Sequence, residues 1–460
     1  MQYSAINIGP IISTLGMARK PHELWGASYL FSHLMKCIYQ VAENENATII
    51  SPSKPSEANI GVGIYPDRIF IKGSCDLNEI MREALDIFYK DLGNPDLTYF
   101  NLMATSCEAA KESEAIGILN KKLDVLELCK YAPEGDAADT INNIISQRED
   151  SKLLKIATGR RYFSFKDFES IARIQLEIDK KASIKSHHKY ICIVQADGDN
   201  IGSTVSNSGL KDGEVLKISK ELVKFGEKST QLIRDFGGLP IYAGGDDLLF
   251  IAPVIGKDGS NIFNLLDNLD SKAFKGVHDL VGNLGLTNKE GKKIEASLSF
   301  GLSISYHKYP LYEALETARK LLFEKAKKEK QKNAVAWKLR KHSGGSFEAI
   351  ISRKNEDLWD SFMSLILNTE DEETVSAVAH KIRQEETLVK IVLESENNER
   401  IDALFHKILE YDESKDGYFD AVKKIMPLLF KTSKGDDLSQ TLFSMLRTAK
   451  FIKGEDLRDE

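Results

Sequence analysis

Tyr190-Ile191-Cys192-Ile193-Val194-Gln195-Ala196-Asp197-Gly198-Asp199 is a nearly continuous apolar run that ends on carboxylates. Such a run reads as a strand buried on both faces, with an acid at its carboxyl end. An amphipathic helical segment follows, then Leu239-Pro240-Ile241-Tyr242-Ala243, Gly244-Gly245-Asp246-Asp247 and Leu248-Leu249-Phe250-Ile251-Ala252-Pro253. This is the composition of two strands closed by a glycine turn. Strand, helix, strand, hairpin, strand predicts a split βαβ unit whose third strand runs antiparallel between the first two. The hairpin turn then lies beside the end of the first strand, so Asp197 meets Asp246 and Asp247.

Three crowded carboxylates repel one another unless cations sit between them, and hard oxygen ligands suit magnesium or manganese. The loop Gly198, Asp199, Asn200, Ile201, Gly202 and Ser203, with Gly244 and Gly245 of the turn, would let a triphosphate and its metals approach the backbone. A glycine-aspartate pair is also ordinary hairpin composition, and Asp-Gly-Asp can be a solvated loop. Both pieces at matching places in one unit favour chemistry over a plain turn. Leu298, Phe300, Leu302 and Ile304 alternate with Ser297, Ser299, Ser303 and Ser305, which predicts a half-buried closing strand.

The chain has 460 residues, 42% hydrophobic and 28% charged, with a net charge of −7. That is globular material for about three or four domains. The acidic balance argues against a protein that coats nucleic acid by itself. With no long apolar segment or signal sequence, a cytoplasmic protein without membrane attachment is expected. Cys37, Cys75, Cys107, Cys129 and Cys192 form no C-x-x-C pair, so they read as reduced thiols rather than disulfides or a zinc site.

The Asp197-Gly198-Asp199 strand end, the Gly244 to Asp247 hairpin, the Ser299-Phe300-Gly301-Leu302-Ser303-Ile304 strand and the Ala318-Arg319-Lys320-Leu321-Leu322 helix together resemble the palm domain of nucleotide cyclases and polymerases. More narrowly, they resemble the large, polymerase-like subunit of type III CRISPR effector complexes. Ile8-Gly9-Pro10-Ile11-Ile12, Ala18-Arg19-Lys20, Leu24-Trp25-Gly26-Ala27-Ser28-Tyr29-Leu30 and Pro66-Asp67-Arg68-Ile69-Phe70 are similar to the opening of its Cmr-type version. The resemblance implies an α+β fold with two ferredoxin-like palm domains plus helical connecting and C-terminal domains. The expected division is a degenerate first palm at 1–100, a helical connecting domain at 101–185, a catalytic palm at 186–342 and a helical bundle at 343–460.

In the first palm, Gly9-Pro10 is read at the place of Asp197 and Asp67 at the hairpin tip, too few carboxylates for two metal ions. Arg19, Lys20 or Arg68 could meet phosphate there, or simply cover a surface; Arg68 is the first candidate. Leu102 to Lys181 has helical spacing. Leu311 to Arg340 reads as one long basic helix, on which the resemblance makes Lys327 a triphosphate contact. Many relatives begin with an HD phosphohydrolase domain; this chain starts at the palm, and its isolated His278-Asp279 pair reads as structural.

The resemblance implies nucleotidyl transfer from ATP with two divalent ions, Asp197, Asp246 and Asp247 serving as catalytic residues and metal ligands. The product would be a cyclic or linear oligoadenylate, or an adenylated small molecule such as an S-adenosylmethionine conjugate. Implied partners are the other effector subunits, guide RNA and target RNA. Two alternatives stay open: a catalytically silent scaffold, and a diguanylate-cyclase-like enzyme. Against the second, Asp247-Leu248 departs from the usual Gly-Gly-Asp/Glu-Glu-Phe.

Overall fold

The computed structural model describes residues 1–460 except 46, 57–60, 94–97, 130–135, 148–150, 159–166, 331, 370–371, 410–414, 434–437 and 455–460. Two sheets organise it. The first is built from β1 (Gln2–Gly9), β2 (Thr48–Ser51), β3 (Arg68–Lys72) and β4 (Asn101–Glu108). Its order is β2-β3-β1-β4, and every pair is antiparallel. Alternation along β1 sends Ile6 and Ile8 into one core with the helices Pro21–Asn44 and Leu77–Leu92, while Tyr3 and Ala5 face the helix Glu112–Glu127.

The second sheet holds β5 (Tyr190–Asp199), β6 (Leu239–Gly244), β7 (Asp247–Pro253), β8 (Ser297–Tyr306), β9 (Ala334–Arg340) and β10 (Ser346–Ser352) in the order β10-β9-β8-β5-β7-β6. β7 lies antiparallel between β5 and β6, as the split unit requires. Cys192, Val194, Ala196 and Phe250 pack with the helix Glu214–Phe236. Ile191, Ile193, Leu249 and Ile251 share a core with the helix Leu311–Lys320 and with the first palm. The two palms are joined directly, by the Ala243 N–H donating to the Gly63 carbonyl at 2.9 Å.

Four expectations need correction. Asn101–Glu108 does not open a helical region: it is β4, paired with β1 along its whole length, so the first sheet runs past residue 100. Helices follow at Glu112–Glu127, Ala137–Ser146, Lys152–Thr158, Phe168–Ala172 and Ile174–Ile178. The basic segment after residue 311 is helical only to Lys328. Lys332 and Asn333 then adopt φ of 53° and 48°, which a right-handed helix cannot contain, and Ala334–Arg340 continues as β9.

The Ser297–Tyr306 strand is neither final nor half-buried. It sits between β5 and β9, and its serines are buried along with its apolar residues. The region after 342 begins with β10, hydrogen-bonded to β9, before the helices between Glu356 and Lys453. The last of these, Leu438–Lys453, docks on the sheet, where the indole of fully buried Trp337 donates to Thr448 Oγ1 at 3.0 Å. Among the described residues no helix is long and apolar enough to cross a membrane.

Candidate active site

The acidic cluster forms where β5 ends against the β6–β7 turn. The Gly198 N–H donates to the Asp246 carbonyl at 3.1 Å, and Gly245 turns the chain at φ +64°, a left-handed conformation that glycine adopts without steric cost. A Cβ on Gly198 would lie 2.7 Å from the Asp246 Cβ. Gly198 therefore lets the hairpin close onto the strand end.

Period-two alternation decides which carboxylates share a face. Asp197 follows Ile191, Ile193 and Gln195, and Asp247 precedes Leu249 and Ile251, so both point to the side that carries the helix Leu311–Lys320. Asp247 is within hydrogen-bonding reach of Asp197. Asp246 packs over Gly198 instead. The three carboxylates do not bring their oxygens within one 4.8 Å set, yet each feels the others: Asp247 is acted on by Asp246 and by Asp197, and Asp246 by Asp197.

Electrostatics reflect this crowding. Burial, then the Asp197 charge, pushes the Asp246 carboxyl up to about 7, against the pull of Lys327. Burial, then Asp246 and Asp197, also raises Asp247 well above the ordinary carboxylate range. Confined acids that hold their protons this tightly are a donor set that a hard divalent cation would relieve, and the residues fit magnesium or manganese.

Lys327 reaches this cluster from the turn that ends the helical segment. Its ammonium contacts Asp197, and donates to the Gly198 carbonyl at 2.7 Å and to Asp199 Oδ1 at 3.0 Å. Burial works to lower its pKa, but Asp197 and Asp199 outweigh that and hold it raised.

Asp199 has a different place from the one expected. It is fully buried, and accepts from Ser297 Oγ at 2.7 Å, Ser299 Oγ at 2.9 Å and the Asn333 backbone at 2.9 Å, besides Lys327. Its acceptor capacity is filled, so it does not present a free surface to a triphosphate. The buried serines of β8 are its partners; read from sequence, they suggested a solvated face.

The remaining loop residues divide. Asn200 turns the chain at φ 66°, with its side chain held by the Glu295 carbonyl and Lys332, both at 2.8 Å. Ile201 is buried, Gly202 and Ser203 are exposed, and a Cβ on Gly202 would meet open space. Gly244 lies against Tyr242 and the Ile64 carbonyl, so its closeness serves the joint between palms.

The first palm contains a counterpart of this site. The Ile8 N–H donates to the Asp67 carbonyl at 3.2 Å, as Gly198 does to Asp246 at 3.1 Å. With Asn7 opposite Arg68 and Ala196 opposite Leu248, this bond aligns Asn7 with Asp197, Arg68 with Asp247 and Gly9 with Asp199. The expected alignment of Gly9-Pro10 with Asp197 is thus two residues out, because only the ladder register defines it. Arg68 donates to Asn120 at 2.8 Å, Asp124 at 2.8 Å and Glu127 at 2.6 Å. Asn7 also donates to Glu127. Acid, acid and lysine in the second palm are replaced by amide, arginine and acid in the first.

Arg68 is thereby corrected: its fork is filled by the helix Glu112–Glu127, and it is not among the residues lining the cavity between the palms. That cavity, of about 850 Å³, is lined from the first palm by Ile8, Arg19 and Asp67 among others, and from the second by Asp247, Tyr312 and Arg319. Its size suits a small-molecule ligand. Arg19 lies over the Tyr312 ring at 5.6 Å, spanning the two palms. Arg19 was legible as a candidate cation; Arg319 and Tyr312 were not, since only the packing of the helix Leu311–Lys320 brings them to the cavity.

Two ferredoxin-like sheets, one with an acidic hairpin site and one with its charges exchanged, define a two-palm protein of the polymerase and cyclase type. Residues 190–336 match the second palm domain of Cas10/Cmr2, and residues 3–68 match the N-terminal region of the CRISPR-associated protein Cmr2. Together these matches support a Cas10-type protein. It is 30% identical over 190 residues to the Cmr subunit Cmr2 of Pyrococcus furiosus, a stretch covering 35% of this chain and 20% of that protein. Its fold is similar to that of a chain in the structure of the type III-B Cmr-beta complex in the apo state, with a TM-score of 0.55 at 11% identity over 84% of this chain and 75% of the other. It is also similar to the Csm1–Csm4 cassette in complex with cA4, with a TM-score of 0.54 at 12% identity over 98% and 69%.

Proposed function

We propose that the chain is the nucleotidyltransferase subunit of a type III CRISPR effector complex, activated by target RNA and using ATP. The observation that carries this reading is the meeting of Asp197 and Asp247 on one face of the second palm, with Lys327 beside Asp197 and Asp247 at the wall of the inter-palm cavity. Related folds have been solved as Csm1–Csm4 with AMPPNP, with one ATP and with cA4, and a Cmr-beta complex with cognate target RNA. Those ligands and partners support the same classes here.

Asp197 and Asp247 would hold two magnesium or manganese ions, with Asp246 beside them; the ions would supply charge stabilisation at the triphosphate and a lowered pKa at the attacking hydroxyl. Lys327 is already desolvated and aimed by Asp199, so it meets phosphate charge without a large rearrangement. Ser297, Ser299 and the Asn333 backbone keep Asp199 in place. Arg19 and Arg319 give the cavity cations for the second substrate, and its apolar walls exclude water from the reacting groups. If that substrate is a second ATP, the product is an oligoadenylate. If it is a small molecule such as S-adenosylmethionine, the product is an adenylated conjugate.

The test is to incubate the assembled complex with labelled ATP, magnesium or manganese and cognate target RNA, and to identify products by mass. An adenylate product that requires target RNA and disappears in Asp246→Ala/Asp247→Ala supports the reading. Product formation unaffected by that double substitution overturns it.

A further inference from the structure

Away from the inter-palm site, a His33 ring nitrogen, Cys37 Sγ and an Asp91 carboxylate oxygen all lie within 4.8 Å of one another, and His33 Nε2 is the nitrogen that faces Asp91. We propose that these three side chains form a binding site for one divalent transition-metal ion of the zinc class, clamping the helix Pro21–Asn44 to the helix Leu77–Leu92 in the first palm.

The geometry is that of facing helices. His33 and Cys37 are four residues apart in the Pro21–Asn44 helix and so project from one face. Asp91 stands in the last turn of the Leu77–Leu92 helix, which packs against that face. Its carboxylate lies 3.0 Å from His33 Nε2, while zinc bond lengths in a tetrahedral arrangement set donors roughly 3.3–3.8 Å apart. A small outward shift of Asp91, whose side chain is 41% exposed, makes that room.

The surroundings favour an ordered ligand set. The His33 ring is stacked on Tyr29, with centroids 6.2 Å apart and planes within 6°, and lies 5.6 Å from Phe88, so its direction is set by packing. Mixed nitrogen, sulfur and carboxylate donors suit zinc over magnesium or calcium. The exposed Asp91 side chain gives solvent access to the site and room for water at a fourth position. On binding, the Cys37 thiol gives up one proton to solvent as its sulfur bonds the ion, and His33 carries its own proton on Nδ1, leaving Nε2 to ligate.

The sequence could not indicate this site, because its cysteines form no paired motif and Asp91 is 54 residues beyond Cys37. The site joins two helices of one palm and is independent of the ATP reading.

The test uses the full chain, reduced, stripped by chelator and supplied with excess magnesium to occupy the acidic hairpin. Titration with cobalt(II) should produce a thiolate-to-cobalt charge-transfer band saturating at one equivalent, erased by zinc, and zinc should raise the melting temperature by a few degrees. Cys37→Ser should abolish the band, and Asp91→Asn, which retains a hydrogen-bonding group toward His33, should weaken cobalt binding by about tenfold or more. Absence of the band, its persistence in Cys37→Ser or unchanged affinity in Asp91→Asn overturns the proposal. Should Cys37→Ser fail to fold, Asp91→Asn, checked by metal-free melting against the parent, decides.

Discussion

Arg68 of the first palm stands at the ladder position that Asp247 holds in the second, and each is met by the end of the helical segment that follows the strand β4 or β8: Arg68 by Glu127, the acidic cluster around Asp247 by Lys327. A guanidinium paired with its own carboxylates supplies internally the charge balance that the second palm would take from a bound cation. This relationship makes Arg68 a strut of the first palm rather than a phosphate contact.

Arg68→Ala should therefore leave nucleotide binding by the second palm unchanged and loosen the helix Glu112–Glu127. The ion pairs are half exposed, with Asp124 at 61% and Glu127 at 40%, so the expected stability loss is only about 1 kcal/mol. Hydrogen exchange of that helix together with calorimetric ATP-analogue titration checks both halves. Loss of a nucleotide site with no change in exchange would restore Arg68 as a ligand contact.

Asp246→Ala/Asp247→Ala and, separately, Asp197→Ala should each reduce adenylate product by at least about a hundredfold while leaving assembly with partner subunits intact, because these carboxylates face a turn and a cavity rather than the apolar core. Product yield by mass spectrometry and co-purification of the subunits are the two readouts.

Asp199 should behave differently from the other acids. Asp199→Ala leaves Lys327, Ser297 and Ser299 without a buried acceptor and is expected to cost about 3 kcal/mol of stability. Asp199→Asn keeps the shape and should fold, yet release Lys327 and lower turnover. Thermal melting separates the two variants, and parent-like stability of Asp199→Ala would show that the buried carboxylate is not needed.

Acid sensitivity should arise at the start of β5. Burial, then neighbouring His188, depresses His187 to about 3, so the folded protein keeps it neutral while the unfolded chain protonates it near 6.5. Its contribution is intact above about pH 6.5 and falls by about 1.4 kcal/mol per pH unit below that, down to the folded pKa. His188 adds in the same direction; its Nδ1 accepts the Lys185 N–H at 2.9 Å, a bond lost on protonation. His187→Leu should flatten the stability profile between pH 6.5 and 5 in denaturant titrations, and an unchanged slope would place the acid sensitivity elsewhere.

Local sequence was enough for the second palm. An apolar run buried on both sides, a glycine turn and the strand order placed Asp197 beside the Asp246–Asp247 hairpin, since these depend on period-two alternation and on the few ways a split βαβ unit can be wound. The cation Lys327, which contacts Asp197, was legible through the family resemblance. What needed the tertiary structure was everything set by register and by contacts between distant segments. The serines of β8 look like a wet edge until the strand is placed beside β5, where they hydrogen-bond Asp199. Ala334–Arg340 and Asn101–Glu108 carry no strong local strand signal and become strands because neighbouring sheet edges offer them partners. Arg68 has the same composition and exposure signals as any phosphate-seeking arginine, and only the docking of the helix Glu112–Glu127 fills its fork. Sequence determined which residues could do chemistry at the second palm; the packing of one palm against the other determined which of the first palm's charges remain free to join it.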